Sequence, residues 1–310
     1  MTTMFNTARP APHFAQRRRV LTGFATAAIC RLAAAAAVTL LTAAHAPAGT
    51  FPAGAAHQTA MLSTKLEVFT YRPDRCRISS LLLVFHGLHR NAAGYRDDVR
   101  TLADTNCMLV VAPLFDEQRF PTSRYQLGGI VERHTVQDSR QWTGNLALEL
   151  VEWVRQNEGR RLDYFMLGHS AGGQFLGRVA AFVPTEARRI VIANPSTYVA
   201  PTLRVDAPFG LGRLYDDATG QGALRRYLAQ PVTIFLGDDD IGDKDLNETP
   251  AAMAQGATRL ERGLNIYKQS KMVAESHQWA FNWRLVELPG VGHSAAKMFS
   301  SSQALAALRP

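Results

Sequence analysis

A doubly wound, mostly parallel α/β sheet flanked by helices, in a single domain, is the fold class that this 310-residue chain predicts. Three observations carry it. From Lys65 onward, short β-rich runs alternate with longer helical patterns, the signature of parallel strands joined by helical crossovers. Several runs are continuously apolar, as in Leu81-Leu82-Leu83-Val84-Phe85, which suits a strand covered on both faces. After residue 60 there is no internal repeat, low-complexity linker or break in composition. Hydrophobic content of 46% excludes wholesale disorder, and three cysteines are too few for a disulfide-built scaffold or a multi-thiolate zinc module.

The first segment stands apart. Residues 1–46 hold no Asp, Glu or Lys but five arginines, Arg9, Arg17, Arg18, Arg19 and Arg31. A basic cluster, an apolar run and the small residues around Ala44-His45-Ala46 form a signal peptide over residues 1–46, with cleavage after Ala48 as a second fit. Arg17-Arg18-Arg19-Val20-Leu21 is similar to a twin-arginine export signal. An uncleaved membrane anchor is the alternative, but Arg31 interrupts the apolar stretch and neither half reaches the roughly 20 residues a span needs. Ile29 before Cys30 argues against lipidation. The expected compartment is periplasmic or extracellular, with membrane contact only during export. The catalytic domain is then 47–310, and the net charge of +8 falls to +3, with 29 bases against 26 acids.

Along that domain, strands are predicted at 66–71, 80–85, 108–112, 164–167, 189–193, 232–236 and 283–288. Helices are predicted at 93–105, 142–157, 174–182, 223–228, 251–274 and 295–308. Leu146, Leu148, Leu150, Val151 and Val154 supply the apolar stripe of the second helix. The aperiodic stretch 114–135 reads as a long loop able to border a cleft. Trp142, Trp279 and Trp283 are candidates for an apolar pocket, against the plainer reading of core packing.

Three segments carry chemistry. Tyr164-Phe165-Met166-Leu167-Gly168-His169-Ser170-Ala171-Gly172-Gly173 is a strand, then Gly-x-Ser-x-Gly, then a helix start. A serine on so tight a turn needs glycines two residues to either side, and the helix start aims free N–H groups at charge developing beside it. Upstream, the strand 81–85 ends in His86-Gly87-Leu88, whose backbone can complete an oxyanion hole with the N–H of Ala171; Leu88 is the expected second donor. His86 and His169 read as structural histidines. The strand 232–236 runs into Gly237-Asp238-Asp239-Asp240-Ile241-Gly242-Asp243, and the strand 283–288 into Pro289-Gly290-Val291-Gly292-His293-Ser294. An acid after one strand and a histidine after the next give the chain order Ser, Asp, His and supply the two groups that activate a serine nucleophile.

These motifs resemble the α/β-hydrolase family over nearly all of residues 65–308. Ser-Ala-Gly-Gly after the nucleophile, and His-Gly followed by Asn91-Ala92, look like its polyhydroxyalkanoate-depolymerase and feruloyl-esterase branch. The resemblance implies Ser170 as nucleophile, His293 as base and Asp240 as acid, with Asp238, Asp239 and Asp243 close enough to compete. It also implies oxyanion donors at Leu88 and Ala171. On the family's sheet, the strands after Cys76 and Cys107 are neighbours, which brings these two cysteines together; in an exported protein they form a disulfide if their Cα atoms come within range.

The expected activity is hydrolysis of carboxylic esters, on hydroxyalkanoate oligomers or small or aryl esters, through an acyl-enzyme and without a cofactor. A peptidase or amidase on the same sheet is the alternative, and a non-catalytic exported binding protein the third. The five carboxylates within residues 238–245 match no EF-hand register, no Cys/His set has zinc spacing, and no glycine loop has a nucleotide-binding pattern. Nor is there a basic stripe for nucleic acid. Polyester depolymerases of this kind often add a surface-binding domain, so the expected substrate is a soluble oligomer or small ester.

Overall fold

A computed structural model describes residues 51–310. The leader assigned to 1–46, its anchor alternative and Cys30 lie outside the described residues. Among the described residues, no helix is long and apolar enough to cross a membrane.

Eight strands form one sheet: β1 (Gly54–Met61), β2 (Lys65–Arg72), β3 (Ser80–Phe85), β4 (Met108–Pro113), β5 (Asp163–His169), β6 (Arg189–Ala193), β7 (Val232–Gly237) and β8 (Arg284–Leu288). Their order is β1-β2-β4-β3-β5-β6-β7-β8. The pairs β1–β2 and β2–β4 are antiparallel, and every pair from β4 to β8 is parallel. The predicted doubly wound sheet is the one observed.

The central strand β3 shows why its sequence is apolar throughout. Leu81, Leu83 and Phe85 enter one core, Leu82 and Val84 the other, as the two-residue period of a strand requires. Helices cover both faces. The first core packs α3 (Asn145–Glu158), α4 (Ala171–Phe182), α5 (Asp217–Leu228) and α7 (Arg259–Ser276). The second packs α2 (Arg100–Asn106), α8 (Ala295–Phe299) and α9 (Ser302–Leu308), beside α1 (Ala92–Asp98). A short α6 (Pro250–Met253) precedes α7.

Three predicted helices are pairs. The helix expected over 251–274 breaks at Gly256, whose φ of +146° is open to glycine but not to side-chain-bearing residues. The one expected over 295–308 stops at Ser300, and Ser301 caps α9 by accepting from Ala304 N. The one expected over 93–105 is interrupted at Val99. Strand β1 was not expected. Its sequence GAAHQTAM has little β propensity, and it forms because its backbone pairs over all eight residues with β2 at the sheet edge.

Cys76 and Cys107 precede β3 and β4 and are joined by a disulfide, with Cα atoms 5.9 Å apart. Trp142 and Trp283 are buried in the first core, against Phe182 and Tyr227; Trp279 is partly buried and stacks on His277.

Candidate active site

The serine turn is built from backbone. Between β5 and α4, Ser170 has φ 56° and ψ −117°, a conformation costly for a residue with a side chain. It is held by Ser170 N donating to Ala193 O at 2.9 Å and by Gln174 N donating to Ser170 O at 2.9 Å. A Cβ on Gly172 would run into the carbonyls of Phe85 and His86, and one on Gly168 into that of Gly172. Close approach of three backbones is therefore what the two glycines make room for. No side chain caps the N-terminus of α4, which leaves its first N–H groups free beside Ser170.

The other two groups arrive on neighbouring loops. Parallel pairing sets Gly237 opposite Leu288, so the chains leaving β7 and β8 emerge side by side. They are stitched together: Asp238 N donates to Leu288 O, Asp239 N to Val291 O, and Gly290 N to Asp238 Oδ1 at 2.6 Å. This separates the competing acids. Asp238 is occupied with the histidine loop, Asp239 lies at the cleft wall, and Asp243 is exposed. Asp240 alone of the four is buried, and its Oδ2 stands 2.6 Å from His293 Nδ1. Because a carboxylate only accepts, Nδ1 carries the proton, leaving Nε2 to accept from Ser170 Oγ at 3.0 Å. On its far side, Asp240 Oδ1 lies 3.5 Å from the buried guanidinium of Arg259.

Leu88 lines the same cleft as Ser170, and Ala171 is the first residue of α4 after it. The point a Gly87 Cβ would occupy is 3.7 Å from Ser170 Cβ and 2.6 Å from Tyr95 Oη, so no side chain fits there and the backbone leading to Leu88 runs close to Ser170. His86 anchors this loop from behind. Its Nδ1 donates to Gly87 O and its Nε2 accepts from Phe115 N at 3.1 Å, while Tyr125 Oη donates to His86 O. Burial pushes His86 down to about 4, so it stays neutral. Arg90 donates to Phe115 O and Phe120 O. The stretch 114–135 thus braces the loop carrying Leu88, and the residues lining the cleft beside Ser170 come from other segments.

His169 and Tyr95 complete the floor. His169 Nδ1 and Tyr95 Oη share a 3.0 Å hydrogen bond, and the His169 ring lies 4.5 Å from that of His293. Burial first, and then the neighbouring His293, hold His169 well below the ordinary histidine range. Neither Tyr95 nor Arg259 is marked by a local motif. The buried stripe of α7, Arg259, Arg262, Gly263, Ile266, Ser270 and Ala274, keeps helical spacing, but two arginines and a serine among so few apolar residues leave it unmarked in the sequence.

The cleft above Ser170 has a volume of about 540 Å³ and is lined by Leu88, Asn91, Tyr95, Lys244 and Asp245 among others. No group of three or more His, Cys, Asp or Glu side chains able to hold a metal occurs among the described residues. A hydroxyl, an imidazole and a carboxylate in one hydrogen-bonded line, beside free backbone N–H groups, have the geometry for moving a proton off the hydroxyl while charge builds next to it.

No family model and no curated protein matches the chain. Solved structures do. Poly(aspartic acid) hydrolase-1 from Sphingomonas sp. KT-1 is 32% identical with a TM-score of 0.76, over 82% of this chain and 99% of that one. The poly(3-hydroxybutyrate) depolymerase LpqC from Bordetella parapertussis is 30% identical with a TM-score of 0.76, over 82% of this chain and 90% of that one. With that identity over nearly the whole of both relatives, and with the same sheet, the chain belongs to the α/β-hydrolase family and is a hydrolase.

Proposed function

We propose that the protein is an exported serine hydrolase that cleaves carboxylic esters through an acyl-enzyme. The observation that carries this reading is the unbroken line from Ser170 Oγ to His293 to Asp240 at the edge of the cleft. Ser170 Oγ attacks the ester carbonyl as His293 Nε2 takes its proton. Asp240 holds the imidazole in the required tautomer and stabilises the imidazolium. The carbonyl oxygen, now an anion, accepts from the N–H groups of Leu88 and Ala171. Collapse breaks the ester bond, and the departing alcohol takes the proton from His293. Water then repeats the sequence on the acyl-enzyme and releases the acid. Residues 1–46 direct the chain across the membrane to a periplasmic or extracellular site, where the Cys76–Cys107 disulfide is stable.

The substrate proposed is a neutral ester, an oligomer of hydroxyalkanoate type or a small or aryl ester. The 30% relative named for depolymerising poly(3-hydroxybutyrate) supports it. So does the charge of the cleft, lined by Asp239, Asp240 and Asp245 against Lys244 and Arg259, which leaves no excess of cations to track a polyanion. The 32% relative named for hydrolysing poly(aspartic acid) supports the second reading, cleavage of an amide.

Labelling with a fluorophosphonate, followed by turnover of ester, feruloyl, hydroxyalkanoate-oligomer and poly(aspartic acid) substrates, tests both. Wild type is expected to label at Ser170 and to prefer esters, and Ser170→Ala to do neither. Equal turnover by the alanine variant would overturn the mechanism, and a higher kcat/KM on poly(aspartic acid) would replace the ester by the amide.

A further inference from the structure

We propose that Arg259 is a positioning residue for this reaction, acting through Asp240 and resting on the triad reading above. The carboxylate of Asp240 has two oxygens with different duties. Oδ2 meets His293 Nδ1 at 2.6 Å, and Oδ1 faces Arg259 Nη1 at 3.5 Å, with both side chains almost wholly buried. Rotation of the carboxylate would take Oδ2 from the imidazole and Oδ1 from the guanidinium together. The same fork holds the loop that carries the acid: Nη1 donates to Gly242 O at 3.3 Å and Nη2 to Lys244 O at 2.6 Å. Asp240 O in turn accepts from Leu260 N, the residue after Arg259. One planar, permanently charged group thus grips the carboxylate and the backbone two and four residues beyond it.

Arg262, one turn along α7, grips the far end of the same loop. Its Nη1 donates to Ser196 O at 2.6 Å and to Asn247 O at 2.9 Å, and its Nε to Gly256 O. Arg262 is bound to backbone carbonyls and to the Met253 sulfur, whereas Arg259 is the cation in contact with the acid. The other titratable or charged groups around the pair are His169 at the end of β5, Tyr198 after β6, His89 before α1 and Tyr95 within it, and Asp239, Lys244 and Asp245 on the acid loop. Burial keeps His169 and Tyr198 neutral. Lys244 and Asp245 are exposed to solvent, which screens them.

A cation behind the carboxylate opposes the gain of a proton at His293. Its removal therefore stabilises the imidazolium and moves the acid limb of the kcat/KM profile to higher pH. A purely structural arginine would lower stability without moving that limb.

The experiment compares wild type, Arg259→Gln, Arg259→Lys, Asp240→Asn and the double variant Arg259→Gln/Asp240→Asn on p-nitrophenyl butyrate from pH 5 to 9. Thermal melts and fluorophosphonate labelling accompany the kinetics. Arg259→Gln is expected to lower kcat by about 10- to 100-fold with KM within about 3-fold, and to raise the acid limb by at least about half a pH unit. Arg259→Lys keeps the limb in place and recovers part of kcat. In the Asp240→Asn background, Arg259→Gln adds less than about 2-fold, since the group it acts through is gone. An equal loss in both backgrounds, or an unmoved acid limb, overturns the proposal. If Arg259→Gln does not fold, Arg259→Lys decides alone: kcat reduced at least about 3-fold at unchanged KM is expected, and wild-type kcat overturns it. Wild-type labelling and turnover in Arg259→Gln would refute this role only; turnover by Ser170→Ala would refute the serine mechanism itself.

Discussion

Around Ser170 nearly every constraint is backbone and falls on five adjacent residues, whereas around Asp240 the constraints are side chains that arrive from elsewhere. Gly168, Ser170 and Gly172 lie within five residues, and both glycines are dictated by the approach of a neighbouring main chain. Asp240 sits in a loop with no regular structure between β7 and α6, held by Arg259, Arg262 and stitches to the histidine loop. Each kind of constraint is therefore vulnerable to a different kind of substitution. A nucleophile turn tolerates no added atoms, while the acid loop, Asp240 itself apart, tolerates changes of its own residues better than loss of its distant holders.

The largest effect should fall on the acid. Asp240→Asn is expected to lower kcat/KM by about 10³- to 10⁴-fold, because the amide cannot hold the same imidazole tautomer. Asp239→Asn, one residue away, is expected to cost about tenfold or less. Steady-state kinetics on an ester, with a melt to show both fold, would reverse the assignment if Asp239→Asn were the worse variant.

Next in size is a probe of the turn. Gly172→Ala places a methyl against the Phe85 and His86 carbonyls, neither of which can retreat within a buried sheet, and is expected to cost more than about 3 kcal/mol. Gly177→Ala in the same helix meets nothing within 4 Å and is expected to stabilise by about 0.5–1 kcal/mol. Denaturant melts of the pair give opposite signs if backbone approach, and not helix propensity, governs Gly172. A Gly172→Ala variant as stable as wild type would erase the contrast between the two regions.

The contrast also explains how far the sequence could be read. The serine turn was legible because its spacing, Gly-x-Ser-x-Gly between a strand and a helix, records a steric demand that falls on adjacent residues. The alternation of apolar runs was legible because each core strand is buried on both faces. Asp240 was singled out from four nearby acids by the resemblance alone, since what selects it physically is burial and the 2.6 Å approach of His293, both properties of the assembled sheet. Arg259 and Tyr95 were not legible. They reach the site from α7 and α1, and nothing near them in sequence announces a contact 19 residues away with Asp240 or 74 residues away with His169. Strand β1 escaped for a similar reason: its pairing with β2, and not its composition, makes it a strand.

A third expected effect lies outside both regions. The Cys76–Cys107 bridge closes a separation of 31 residues, for which chain entropy suggests about 3–4 kcal/mol. It ties the segments entering β3 and β4, at the ends of the strands away from the cleft. Cys76→Ser/Cys107→Ser should therefore lower the unfolding midpoint while leaving kcat/KM within about 2-fold at temperatures where the variant is folded. A large loss of kcat/KM in the folded variant would mean that the far end of the sheet sets the geometry of the site.

The smallest expected effect tests the turn through pH. His86 is buried, its carbonyl lies where a Gly172 side chain would go, and its free range near 6.5 falls to about 4 in the folded protein. Between these values the unfolded chain binds a proton that the folded chain refuses, so stability is fully present above about 6.5 and is lost as pH falls toward 4. From pH 7.5 to 5, His86 accounts for about 2 kcal/mol of loss. His169, also buried and lowered, adds to the slope in the same direction, so removing His86 should flatten the profile only in part. In His86→Gln, the side-chain carbonyl can still accept from Phe115 N and the amide can still donate to Gly87 O, but nothing titrates. Urea midpoints of wild type and His86→Gln should therefore differ less at pH 5 than at pH 7.5 if the variant is the less stable at neutral pH. Parallel pH profiles for the two would show that the imidazole is not the group opposing acid, and that the carbonyl-lined turn holds its shape without regard to charge.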